Sequence, residues 1–290
     1  MATDEQVLAF ENADDRMTVP VTIDGGGIYH FIVDTGSQRT VISHELAGAL
    51  HLASGPQVHL TSMTGNHDVG TVVIPTLSVG PLGGERIEAP ALFAQHLGAP
   101  GLLGIDTLQG HSVTIDFAKQ QMTVTPSIKK RSRAAPHDSG EIVVHARDVL
   151  GQLVVTDAEY RGSRIEVIVD TGSMVTMGNM ALRELVGRST GGLQPIELLG
   201  VTGELMHVEY AQVHGVKIGD VEINNLPVAF ADAAPFRHFN LIKRPALMLG
   251  MDALKSFKRV KIDFANREIR LKLNDAINPC LGFCISTGRD

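Results

Sequence analysis

The chain has 290 residues, of which 43% are hydrophobic and 20% charged, with two cysteines, no tryptophan and a formal net charge of -7. That length and apolar content suit two domains with cores of their own and exclude an intrinsically disordered chain. The acidic balance argues against nucleic acid as the main partner, because phosphate binding needs a basic surface.

The N-terminus lacks the basic region and apolar core of a secretory leader, so the chain reads as cytoplasmic, or as periplasmic or secreted if a leader has been removed. Residues 1–16, with Asp4, Glu5, Glu11, Asp14 and Asp15, read as a frayed or edge-docked leader. Residues 17–23 form a predicted strand. Asp24-Gly25-Gly26-Gly27 then turns the chain into a second strand ending at Asp34. A strand rather than a helix follows this glycine triplet, which makes it a hairpin turn and not a phosphate loop.

The apolar run Phe31-Ile32-Val33 delivers Asp34 into the turn Asp34-Thr35-Gly36-Ser37. A short helix is expected from His44 with Ser43 as its N-cap. Residues 57–74 read as a hairpin tipped at Thr64-Gly65-Asn66. The uncharged stretch 89–105 is broken by Pro90, Gly98, Pro100, Gly101 and Gly104, so no membrane span is expected there. Leu102-Leu103-Gly104 leads into a short helix from Ile105, and a hairpin over 113–124 is expected to close the first lobe. Residues 126–140 carry Lys129, Lys130, Arg131 and Arg133 without hydrophobic periodicity and read as a linker.

In the second half Val167-Ile168-Val169 delivers Asp170-Thr171-Gly172-Ser173, Asn179 caps a helix through Val186, and 194–213 forms a hairpin tipped at Thr202-Gly203. Segment 231–245, with Phe236, His238 and Phe239, is expected to border the cleft and shape substrate choice. A hairpin over 260–273 and a tail from 274 complete the chain. His207 and His214 have no carboxylate at ligand spacing and read as strand surface. Cys280 and Cys284 are separated by three residues, which fits no zinc site; they read as a local disulfide or as two thiols.

The landmarks recur in order. The offset is 136 between Asp34 and Asp170, 138 between Thr64 and Thr202, 146 between Leu103 and Leu249, and 147 between Ile115 and Ile262. A paired carboxylate suits hydrolysis without a metal, because like charges held close share one proton and so supply both an acid and a base. Gly36 and Gly172 permit close approach of the two loops, and Thr35 and Thr171 can brace one against the other. Ser37 and Ser173 are placed to donate to the carboxylates, which predicts an acidic to mildly acidic optimum.

With its two Asp-Thr-Gly-Ser loops the sequence resembles the aspartic peptidases over most of both halves. None of Tyr29, Tyr160 and Tyr210 lies near Gly65, where a pepsin-type flap carries a tyrosine, so the resemblance is to the retroviral-protease-like (retropepsin-like) branch. It implies an all-β chain with two pseudo-symmetric β-barrel lobes, residues 1–125 and 141–290, joined by linker 126–140 around a catalytic cleft. Asp34 and Asp170 would be the catalytic pair. Thr35, Gly36, Ser37, Thr171, Gly172 and Ser173 would support them, with Met63, Thr64, Gly65, Val201, Thr202 and Gly203 in two flaps over an extended polypeptide substrate. No metal or organic cofactor is implied. One chain supplies both aspartates, so the resemblance implies a monomer. The rival readings are a catalytically silent peptide-binding module of this fold, which nothing in the sequence favours, and a two-carboxylate glycosidase, for which 4% aromatics offer few stacking platforms.

Overall fold

The computed structural model describes residues 6–9, 11–13, 16–79, 82–129, 141–149, 152–187, 192–274 and 284–287. The chain is mostly β, with short helices at strand ends. In the first sheet Arg16–Ile23, Ile28–Val33, Gly101–Leu103, Val41–Ser43, Leu82–Leu92 and Asn66–Val79 are neighbours in that order. Pairing of Thr22 with Ser78 and Ile23 with Leu77 joins the last strand to the first and closes a barrel. Alternation along the first strand places Met17, Val19, Val21 and Ile23 inside. The strand leading to Asp34 is buried on both faces: Phe31 and Val33 enter the barrel core, while Ile32 joins a separate cluster with Val41, Leu92 and Leu102. Its parallel neighbour Gly101–Leu103 explains why this run is continuously apolar rather than alternating.

The second half repeats the order with Gln152–Tyr160, Ser163–Val169, Ala246–Leu249, Met177–Gly178, Leu226–Phe230 and Leu205–Val213. Closure here falls to a separate short strand, Val216–Ile218, which pairs with Gln152–Tyr160 after a turn at Gly215, where φ is +78°. In the first half a single bulged strand of 14 residues does both jobs.

Gln6–Ala9, Gln121–Pro126, His111–Asp116, Phe257–Asp263, Glu268–Leu273 and Glu141–Val149 form an antiparallel run that takes three strands from each half. The hairpin expected to close the first lobe therefore does not do so: His111–Asp116 pairs with Phe257–Asp263 through Thr114↔Lys261. The first barrel is already closed by its own strands, which leaves this hairpin to bind the two halves together. Val113, Ile115, Met122 and Val124 meet Val260, Ile262, Ile269 and Leu271 in the shared core. On this sheet Glu141 Oε1 accepts from Arg259 Nη2 at 2.8 Å, and its Oε2 lies 3.5 Å from Arg270 Nη1. Arg270 also pairs with Glu268 at 2.5 Å.

The first predicted hairpin runs as Ala53–Thr61 and Asn66–Val79, the second as Gln194–Leu199 and Leu205–Val213. Both expected caps are present: Leu46 N–H donates to Ser43 Oγ at 3.1 Å and Leu182 N–H to Asn179 Oδ1 at 2.9 Å. Most of the predicted linker, residues 130–140, lies outside the described residues, as does Cys280 and with it the expected pairing of the cysteines. Cys284–Thr287 adds an edge strand to Val221–Asn224. Among the described residues no helix is long and apolar enough to cross a membrane.

Glu141 is only 10% exposed in its side chain and is shared by two arginines. Glu141→Ala should lower unfolding stability by about 3–5 kcal/mol, read as a lower urea midpoint, because removing one member of a buried network leaves its partners desolvated and under-compensated.

Candidate active site

The two Asp-Thr-Gly turns face each other at the junction of the barrels, each at the end of a doubly buried strand. Asp34 N–H donates to Leu103 O and Asp170 N–H to Leu249 O, both at 3.0 Å, which fixes where each turn begins. Beneath the carboxyl groups the threonines cross over. Thr35 Oγ1 donates to Val169 O at 3.0 Å and Thr171 Oγ1 to Val33 O at 2.7 Å. Each hydroxyl also accepts the other threonine's N–H at 3.1 Å. Both side chains are buried, so these bonds have no competition from water.

A methyl group placed on Gly36 would stand 2.5 Å from Asp170 Cγ, and one on Gly172 would overlap Asp34 Cγ. Only glycine lets each carboxyl lie against the opposite turn. Within each turn the backbone supports its own acid: Gly36 N–H donates to Asp34 Oδ1 at 2.9 Å, and Gly172 and Ser173 N–H donate to Asp170 Oδ1 at 3.0 and 3.2 Å. The serine hydroxyls behave otherwise than expected. Ser37 Oγ donates to Arg39 O at 2.7 Å and Ser173 Oγ to Val175 O at 2.8 Å, so neither reaches a carboxylate. Each closes its own turn instead.

Each carboxyl group lies against the opposite turn and feels the other's charge. Desolvation, then the neighbouring Asp170, pushes the Asp34 carboxyl up from 3.8 to about 8. Desolvation likewise raises Asp170, against the backbone donors of Gly172 and Ser173. The pair titrates as a unit and holds one proton between its two steps.

A cavity of about 460 Å³ opens above the pair, with Asp34 and Asp170 in its floor and both hairpins in its roof. Met63, Thr64 and Val201 line it; Gly65, Thr202 and Gly203 form the turns behind them. The tips meet: Thr64 Oγ1 lies 3.2 Å from Thr202 Oγ1, and His67 Nε2 is 3.4 Å from Glu204 Oε2. Each tip also rests on the opposite half. Ala234 N–H donates to Met63 O at 3.3 Å, and His96 packs so close to Gly203 that any side chain there would collide with it. Of segment 231–245, Pro235 lines the cavity, while Phe236 and Phe239 turn into the core and His238 meets Gln38 at 3.3 Å.

Sequence reasoning missed a second layer of support. Thr40 Oγ1 donates to Asp106 Oδ1 at 2.7 Å and accepts Gly104 N–H at 3.0 Å; Thr176 does the same with Asp252 at 2.6 Å and Gly250 at 3.0 Å. Asp106 and Asp252 close the repeated Leu-Gly-X-Asp landmarks, and that recurrence was the available signal. Gln152, buried at the start of the second barrel, donates from Nε2 to the Gly36 carbonyl. Among the described residues no group of three or more His, Cys, Asp or Glu side chains is placed to hold a metal ion.

The aspartyl protease family profile matches residues 19–107 and 156–253, one segment around each aspartate. No curated protein matches the chain.

A carboxyl whose folded-state pKa lies above its unfolded value binds more protons folded than unfolded, so its contribution to stability falls as pH rises between the two values. For Asp34 that window runs from 3.8 to about 8. Asp34→Asn removes the titration, and its melting temperature should gain on wild type progressively across this window. A pH-independent difference in thermal melts would refute the assignment.

Proposed function

The chain belongs to the aspartyl protease family, and we propose that it is an endopeptidase that hydrolyses peptide bonds through a water activated by Asp34 and Asp170. The observation that carries the reading is the pair of facing carboxyl groups, cross-braced from below and roofed by two hairpins. A water between the carboxyls gives its proton to the ionised one as it attacks the peptide carbonyl carbon, and the protonated one hydrogen-bonds to the carbonyl oxygen. Collapse of the tetrahedral intermediate breaks the C–N bond as a carboxyl proton passes to the departing nitrogen, and the pair again holds one proton. The threonines and glycines keep the pair close. Met63, Thr64, Gly65, Val201, Thr202 and Gly203 act as flaps that hold an extended polypeptide in strand-like pairing and exclude water.

Residues 1–125 and 141–290 serve as the two lobes, with 126–140 as their tether. Both aspartates come from one chain, so a monomer is sufficient for activity. The pH reading shifts within the expected range. Because the serine hydroxyls do not hold down the carboxylates, the raised pair keeps its proton well above the usual carboxylate range. This favours a mildly acidic optimum over a strongly acidic one.

Cleavage of an unfolded protein across about pH 3 to 9, with wild type, Asp34→Asn and Asp170→Asn side by side, tests the reading. Wild type should cut, both variants should lose at least ~10³-fold in rate, and the alkaline limb should fall as the shared proton is lost. Failure of the folded wild type to cut any such substrate would favour the silent peptide-binding module.

A further inference from the structure

The two walls of the cavity are not equivalent. Residues at matched positions of the repeat differ in one consistent way. Val41 pairs with Leu102 beside Asp34, and the equivalent pair beside Asp170 is Met177 with Met248. Opposite Leu60 on the first flap stands His67, outside the cavity lining, whereas opposite Leu198 on the second stands Met206, within it. Gln38, four residues after Asp34, corresponds to Met174 after Asp170. The flap tips cross over and extend the pattern. Met63 of the first flap packs into the second half's cluster with Met177, Met206 and Met248, while Val201 of the second flap packs into the first half's cluster with Val41, Leu60 and Leu102.

The side of the cavity beside Asp170 thus carries five methionines among its valine and leucine residues, while the apolar residues of the side beside Asp34 are valine and leucine alone. Methionine is unbranched, polarisable and free to re-rotamer around different shapes; β-branched valine is restricted at χ1, and leucine is stiffer than methionine. Met177 and Met248 are buried with respect to bulk solvent, yet both line the cavity, so their thioethers form its wall rather than a solvated rim.

We infer that the enzyme recognises an apolar pair across the scissile bond asymmetrically. The substrate residue seated against Val41, Leu102 and Val201 is selected for a fixed aliphatic shape, and the one seated against Met63, Met177 and Met248 is accepted over a range of large shapes, aromatic and long aliphatic alike. The inference rests on the peptidase reading and assigns it a substrate class: extended peptides carrying one small-to-medium aliphatic residue beside one large apolar residue of variable shape.

Cleavage of a proteome-derived peptide library, read by mass spectrometry, tests it with wild type, the converted wall M177V/M248L, the reciprocal L102M and the inactive control D34N. Wild type should show one narrow and one broad position flanking the cut. At the broad position the rates for Phe, Met and Leu should lie within about threefold; M177V/M248L should open a gap of about tenfold or more there, and L102M should relax the narrow position. L102M conserves volume and carries the test if the double variant does not fold. Dyad-dependent cleavage with equal tolerance on both sides, or preferences unmoved by either exchange, overturns this inference and leaves the peptidase reading standing. Absence of cleavage that depends on Asp34 overturns both.

Discussion

The crossed bonds of Thr35 and Thr171 are the constraint on which the site depends. Two carboxyl groups held against each other repel once both ionise, and nothing in their own chemistry keeps them together. The force that does so is supplied one layer down by neutral hydroxyls, each donating to a carbonyl at the end of the other half's strand. Because both hydroxyls also accept an N–H across the junction, the brace is symmetric and resists sliding in either direction. Thr40 with Asp106 and Thr176 with Asp252 fix the flanks of each turn to its own barrel, so the brace joins two rigid bodies rather than two loops.

Above the dyad the same exchange between halves recurs. Each flap reaches across and packs on the other half's wall, Met63 on one side and Val201 on the other. A closed roof desolvates the carboxyl groups and raises their affinity for a proton, which couples the electrostatics of the floor to the position of the tips. The contacts that hold the tips together, Thr64 with Thr202 and His67 with Glu204, are polar and partly solvated and so inexpensive to break.

The parts of this arrangement that could be read from the sequence are those whose physics is local or repeated. The Asp-Thr-Gly-Ser turns, the caps at Ser43 and Asn179 and the two hairpins follow from short-range chemistry, and the ordered recurrence of four landmarks reveals the second half. The parts that could not be read depend on long-range partners. A serine next to an aspartate has several acceptors within reach, and in both turns a main-chain carbonyl two residues on outcompetes the carboxylate. Strand partners of hairpin 111–126 were equally hidden, since an amphipathic hairpin offers the same pattern whether it closes its own barrel or pairs with residues well over a hundred positions away. His96 and Gln152 carry no motif; their positions against Gly203 and Gly36 exist only once the halves are docked.

The sheet that joins the halves sets the order in which this protein acquires its chemistry. Its central pairing links Thr114 to Lys261, and its outer strands are Gln6–Ala9 and Glu141–Val149. The first barrel is complete in sequence by Leu103, long before the strands that dock it have been synthesised. Loop closure over such separations comes late in folding. Asp34 and Asp170 thus meet across a junction whose joining strands, Phe257–Asp263 and Glu268–Leu273, follow both aspartates in the chain.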